Sequence, residues 1–154
     1  MASFDESAAG LTVSFEPEEA TLLRRLLDEL EQVLSVPTPG PLEDRLFPAA
    51  YDTSEEQSAY EELVGDQLRN DKLKFVRAAR SALDRDTVVL DSDAIEPWLV
   101  VLTDLRLAIG TRLDVTEETM AAELDPEDPD APALSVLHWL GWMQESLLSH
   151  LIKN

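Results

Sequence analysis

WLVVLTDLRLAIGTRL, residues 98–113, decides the fold. Wound at about 100° per residue, it places Trp98, Val101, Leu102, Leu105, Ala108 and Ile109 on one face, while Leu99, Val100 and Leu107 spread over much of the rest. A helix that is apolar nearly all round is buried, so this one is expected to be the central helix against which the others pack. It nonetheless carries Asp104, Arg106 and Arg112. A charge in a core persists only when it is paired and hydrogen-bonded. These three are therefore expected as architectural, buried ion-pair residues. The competing reading is a catalytic or ligand pocket around Asp104 and Arg106. Gly110 removes a side chain where a neighbouring helix can come close.

Upstream, Asp93 with Glu96 three residues later marks a helix start, and Pro97 falls near the first turn, where proline costs least. TVVLD (87–91) is β-branched and bounded by charge, and LTVSF (11–15) alternates Leu11, Val13 and Phe15 with Thr12 and Ser14. Both read as short strands, expected to pair with each other on top of the helices. Pro17 heads a helix to about Leu34, with Leu22, Leu23, Leu26, Leu27, Leu30, Val33 and Leu34 on a broad apolar face. VPTPGPLED (36–44) turns the chain, and RLFPAAY adds at most one helical turn. Ser54 with Gln57 resembles a capping box. A long helix is predicted from there to about Leu83, with Tyr60, Val64, Leu68, Phe75, Ala79 and Leu83 on one side and Gly65 a tolerated weak point. Downstream of Leu113, Thr116 to Leu124 reads as a shorter helix and DPEDPDAP (125–132) as an acidic, proline-rich loop. The last helix is ALSVLHWLGWMQESLLSHLIK (133–153). Residues 1–10 read as a flexible N-terminus. The expectation is a single, mainly all-α domain over 11–154 with loops at 35–53 and 125–132. It would be a bundle of about four to five helices with a minor two-stranded β element, 11–15 with 87–91.

With 154 residues, 44% of them apolar, the chain can bury a real core. No apolar run reaches the ~18–20 residues of a membrane span, and MASFDESAAG is the opposite of a secretory signal, so no membrane role and a cytoplasmic location are expected. There is no cysteine, which excludes thiol catalysis, thiolate metal sites and a cysteine redox switch of the chain's own. Acid dominates: 32 Asp and Glu against 12 Lys and Arg give a net charge of −20. Phosphate binding needs basic side chains to displace counterions, so the charge speaks against direct nucleic-acid binding and favours a basic protein partner. The plainer reading of the acidity is solubility.

The catalytic and cofactor signatures are missing. His138 and His150 lie 12 residues apart, not at metal-ligand spacing on a helix. There is no Gly-x-Ser-x-Gly and no glycine-rich phosphate loop, so no metal, cofactor or catalytic residue is assigned. Candidate partner contacts come from three regions. Arg69, Arg77 and Arg80 fall within about a quarter-turn beside the apolar side of the long helix, as a docking stripe for acid or as an internal salt-bridge belt. On the last helix Leu137, Leu140, Leu147, Leu148 and Leu151 make a core stripe; Trp139 and Met143 flank it, and Trp142 points well away from its centre. These three are candidate hot-spot residues, or pack under a loop of their own chain. The segments 52–62 and 114–130 carry five and eight acidic residues and no basic one, with Glu117, Glu118, Glu127 and Asp128 as candidate contacts.

WLVVLTDLRLAIGTRLDVTEE followed by LHWLGWMQESLLSHL closely resembles two blocks of an actinobacterial family once classed as a domain of unknown function and now often labelled AosR-like. AYDTSEEQSAYEELVGDQLRNDKLKFVRAARSAL, LTVSFEPEEATLLRRLLDEL and VVLDSDAIEPWL are similar to it as well, so the resemblance covers roughly residues 11–152. It implies a non-enzymatic, oxidative-stress transcriptional regulator that contacts RNA polymerase sigma factors, some members sensing oxidation through paired cysteines. This chain has no cysteine, so that trigger does not transfer. The reading is a regulator acting by protein contact with a sigma factor or RNA polymerase, with a homodimer left open. Alternatives are a proteostasis adaptor or structural interaction subunit, whose binding would ignore salt, and an enzyme with a pocket near Asp104 and Arg106.

Overall fold

A computed structural model describes residues 2–8, 10–85, 87–113 and 126–153. Among them the chain runs β1 (Ser3–Ser7), β2 (Gly10–Ser14), α1 (Pro17–Ser35), α2 (Pro41–Leu46), α3 (Ser54–Tyr60), a π-helical turn (Glu61–Gly65), α4 (Asp66–Ala82), β3 (Thr87–Leu90), α5 (Ser92–Leu113) and α6 (Ala131–Lys153). Because α3, the π turn and α4 follow without a break, the helices form five rods. The fold is mainly α, a single domain with a small antiparallel sheet. The shorter helix expected over 116–124, with Glu117 and Glu118 on it, lies outside the described residues.

α5 is the centre, touching α1, α2, α4, α6 and β3. It buries Ile95, Trp98, Val101, Leu102, Leu105 and Ile109. α1 presents Leu23, Leu26, Leu27, Leu30 and Leu34, and α4 presents Leu73, Val76 and Ala79. α6 contributes Leu134, Leu137, Leu140, Met143 and Leu147 at three- and four-residue steps, the spacing that keeps side chains on one helix face. α5 starts one residue before the expected Asp93. Asp91 precedes it, its Oδ1 accepting the Ala94 N–H at 2.9 Å, as an N-cap does.

The expected pairing of β2 with β3 is present, Leu11 opposite Leu90 and Val13 opposite Val88, all four buried. The sheet has a third strand that the sequence reading placed in a flexible end: β1 pairs antiparallel with β2, Phe4 opposite Val13. Gly10 makes the hairpin. Its φ is 128°, and a Cβ there would fall 2.4 Å from the Leu90 carbonyl oxygen, so a side chain is excluded. One carboxylate ties the N-terminal segment to α1: Glu19 accepts the backbone N–H of Ala2 at 3.1 Å and that of Glu16 at 3.0 Å.

Two further corrections concern helices. The 35–53 connection contains α2, which ends at Leu46, two residues before Pro48. Thr53, not Ser54, caps α3, its hydroxyl accepting the Glu56 N–H at 3.3 Å. The π turn explains a larger difference. It adds a residue to one turn, so the helix face upstream of Gly65 is rotated against the face downstream. Downstream, Leu73, Val76, Ala79 and Leu83 are buried; upstream, Tyr60 and Val64, expected on the same side, are only half-buried. Leu68, also downstream, is exposed.

Candidate interaction surface

Asp104 lies at the centre of a polar cluster between helices. It is 2% exposed, and Lys72 Nζ on α4 donates to both its carboxylate oxygens, at 2.9 and 3.1 Å. Burial pushes the Asp104 carboxyl above its ordinary range, and Lys72 pulls the other way. Lys72 Nζ also lies 5.4 Å from the centre of the Phe47 ring, and the Arg69 guanidinium lies 4.4 Å from it. Arg69 donates to the Leu34 carbonyl at 2.8 Å and pairs with Glu43; desolvation lowers its pKa. Helices α1, α2, α4 and α5 thus meet at two cations and one ring, and the cations hold the helix ends in register.

The three charges expected to be buried together part company. Asp104 and Arg106 point about 200° apart around α5 at helical spacing, one toward Lys72, the other toward Gln144 of α6. They share no pocket. Arg112 is exposed. It lies beyond Ile109, the last buried residue of α5, and a cation at a helix C-terminus is favourable without an ion pair.

The stripe on α4 is taken up within the chain. Arg77 pairs with Glu31 at 3.0 Å, and Arg80 with Asp28 at 3.0 Å and Asp84 at 3.3 Å. With Arg69 on Glu43, this is the internal belt rather than an open docking stripe.

One tryptophan of α6 packs against β1, the strand expected to be a flexible end. Trp142 meets Phe4 edge-on at 5.5 Å between ring centres. Further along, His150 pairs with Glu6 and lies 6.0 Å from Phe4. Met143 is fully buried core. Trp139 is half-buried, and its Nε1 is shut from solvent without a hydrogen-bond acceptor. Met143 is thus core, and Trp142 packs within its own chain against Phe4 of β1. Phe4 is the signal that was available, an isolated aromatic at an alternating position in SFDES.

What stays open is the N-terminal half of the long helix. α3 and the π turn bury no residue. Leu63 is 81% exposed, with Tyr51 and Leu68 also exposed nearby in sequence. Asp52, Glu55, Glu56, Glu61, Glu62 and Asp66 are all exposed, and no Lys or Arg occurs between Arg45 and Arg69. Gln57 fastens this helix to the preceding loop, its Oε1 accepting the N–H groups of Ala50 and Tyr51 at 2.8 and 3.1 Å. Beside it, Phe47, Pro48, Tyr60 and Leu68 line a cleft of about 480 Å³ with Glu61 and Asp66 also in its wall. Glu127 and Asp128 are exposed in the turn before α6, where the Asp128 carboxylate accepts the Asp130 N–H at 2.9 Å.

These elements coincide with the reach of one known domain: a family described as Domain of unknown function (DUF2017) matches residues 1–151. The chain belongs to the DUF2017 family. The match takes in β1 and the whole helical bundle up to the last two residues of α6. No curated protein and no solved structure matches the chain. Within this DUF2017 domain no described helix is long and apolar enough to cross a membrane. Among the described residues no group of three or more His, Cys, Asp or Glu could hold a metal ion.

Proposed function

We propose that this chain is a non-enzymatic regulator that acts by protein contact, docking its acidic helix, residues 54–66, onto a basic surface of the transcription machinery, a sigma factor or RNA polymerase. The observation that carries the contact is that α3 and the π turn bury no residue while residues 52–66 show six carboxylates and no cation. Burial normally stabilises a helix in a protein, so a helix held only by Gln57 on the preceding loop and Tyr60 against Tyr51 has most of its surface free for another molecule. Among the described residues Arg69, Lys72, Arg77 and Arg80 are already paired with the chain's own carboxylates, and the surplus acid selects a basic partner. The transcriptional identity of that partner rests on the resemblance to oxidative-stress regulators. The chain lacks the cysteine switch of some members.

The test is to titrate the purified protein against a purified actinobacterial sigma factor at low and high salt, with Glu55, Glu56, Glu61 and Glu62 reversed to Lys in a second protein. The reading expects binding that falls steeply with salt and is lost on charge reversal, because exposed charge pairs are screened. Binding indifferent to both changes would abandon it. The exposed Leu63 favours a second reading, an adaptor that docks through apolar contact. Leu63→Ala would then abolish binding that charge reversal spares.

A further inference from the structure

The flank of α5 that faces away from Lys72 borders a cleft of about 310 Å³, a small-ligand size. Arg45 of α2, Thr103, Arg106 and Leu107 of α5, and Leu137 and Gln144 of α6 line it, with the open backbone of Gly110 between them. Among the described residues no carboxylate does, although the chain has 32 acidic residues. Two guanidinium groups therefore share a wall with an amide, a hydroxyl and two leucines.

Arg106 is held in place but only partly satisfied. Its NH1 donates to Gln144 Oε1 at 2.7 Å, and the Gln144 amide nitrogen donates to the Leu99 carbonyl at 3.3 Å and to the Thr103 hydroxyl, which fixes the amide's orientation. The guanidinium lies over Gly141, where an added Cβ would sit 3.5 Å from its central carbon. Its Nε is shut from solvent with no hydrogen-bond partner. A guanidinium presents five N–H donors in a rigid fork that fits the paired oxygens of a carboxylate or phosphate. Arg69, Arg77 and Arg80 each give that fork to an acid of the chain. Arg106 and Arg45 have no carboxylate among the described residues, and Arg45 donates to the Thr111 hydroxyl at 2.8 Å.

We propose that this cleft binds the oxyanion group, carboxylate or phosphate, of a small molecule. Arg106 grips the oxygens and Arg45 approaches from the exposed rim. Thr103 accepts from Gln144 and keeps its own O–H to donate, while Leu107 and Leu137 face the ligand's carbon skeleton. The chain's −20 charge repels free anions at long range, but that field is screened within about 8–10 Å at physiological ionic strength, whereas these donors act at contact. The site shares no residue with the acidic helix and stands whether or not that helix docks a partner.

The test follows the Arg106 Nε–H and Gln144 side-chain amide signals by NMR while the full chain is titrated with sodium phosphate and, separately, with disodium succinate. Sodium chloride at matched ionic strength is the control. The expected result is a saturable shift with at least one of the two anions and none with chloride. A response to phosphate alone assigns a phosphoryl ligand, and a response to succinate alone a carboxylate. Arg45→Gln, at an exposed position that leaves the core intact, should weaken binding about tenfold, and Arg106→Gln should abolish it. If Arg106→Gln does not fold, Arg45→Gln decides alone. Shifts that are absent, that match the chloride control, or that survive Arg45→Gln undiminished overturn the proposal.

Discussion

On one flank of α5, Asp104 is buried with Lys72 Nζ at 2.9 Å and with a second cation, Arg69, stacked on the same Phe47 ring; on the other flank, Arg106 leans on a single glutamine and, among the described residues, meets no carboxylate. Two residues of one helix thus sit in opposite settings within a chain overloaded with acid. The difference lies in what the neighbouring helices present. α1 and α4 meet through Asp28, Glu31, Arg77 and Arg80 along their shared edge, and α4 supplies Lys72 to α5. α6 turns Gly141, Gln144 and its leucines toward Arg106. Net charge therefore does not decide whether a cation is paired; the facing side chains do. The first flank is closed architecture and the second is open chemistry.

The largest expected effect comes from breaking the closed flank. Lys72→Met leaves the Asp104 carboxylate buried without its cation, and breaking such a pair costs about 3 kcal/mol or more at neutral pH. The sign of the pH dependence follows from burial. The folded-state pKa of Asp104 is already raised above its ordinary 3.8, and losing Lys72 removes the two influences that lower it. A raised carboxyl pKa contributes stability at pH below the unfolded value and loses it as pH rises through the folded value. The deficit of Lys72→Met should hence be greatest at neutral pH and shrink on acidification toward 3.8. Urea denaturation at neutral pH and near pH ~5 reads this directly. A deficit that grows on acidification would show that Asp104 is not the group left stranded.

Trp142→Ala comes next. Full burial of a large aromatic puts truncation at about 3–5 kcal/mol, but Trp142 is only half-buried, so about 2 kcal/mol is expected, with faster amide exchange in Ser3–Ser7 as β1 loses its hold through Phe4. An unchanged exchange pattern would mean that pairing with β2, not the ring contact, keeps β1 in place. Gly141→Ala has the opposite sign. Glycine inside a helix costs about 1 kcal/mol relative to alanine, and the new Cβ would be in ordinary contact, 3.5 Å from the Arg106 guanidinium. Thermal unfolding should show a gain of up to about 1 kcal/mol with the Gln144 bond kept. A loss of stability would instead mean that the guanidinium is pressed onto the glycine more tightly than van der Waals contact.

These contrasts mark what could be read in the sequence. The apolar wrap of residues 98–113 identified α5 as central, and alternation in LTVSF and TVVL gave the β2–β3 pair, because both are local periodicities that follow burial. β1 was not legible: SFDES has one apolar side chain, and its contacts are β2, Trp142, more than 130 positions away, and, next to it, the Glu19 carboxylate on Ala2. The π turn was equally hidden, since Gly65 looked like a weak point and not the end of a register change. For the charges, the chain announced that Asp104 and Arg106 need partners but not which ones. Lys72 lies 32 positions before Asp104, and Gln144 lies 38 after Arg106. The basic stripe was read from its own helix alone, whereas its role is set by Asp28 and Glu31 on another. Pairings across elements depend on how helices dock, and periodicity within one helix carries no record of that.

The smallest expected effect tests whether the α1–α4 edge belongs with the closed flank at all. Arg77 is 60% exposed and its partner Glu31 is 33% exposed, so water already solvates both ions and most of their attraction is screened. Arg77→Ala should cost about 0.5 kcal/mol or less and become indistinguishable from the parent near 1 M salt, where the screening length is about 3 Å. The same substitution logic applied to Lys72 predicts a cost several times larger that salt barely touches, because Asp104 has no solvent to screen it. A deficit at Arg77 as large and as salt-resistant as that at Lys72 would mean that the whole α4 face works as one coupled network. The distinction would then lie not between buried and exposed pairs but between the side of α5 that meets α4 and the side that meets α6.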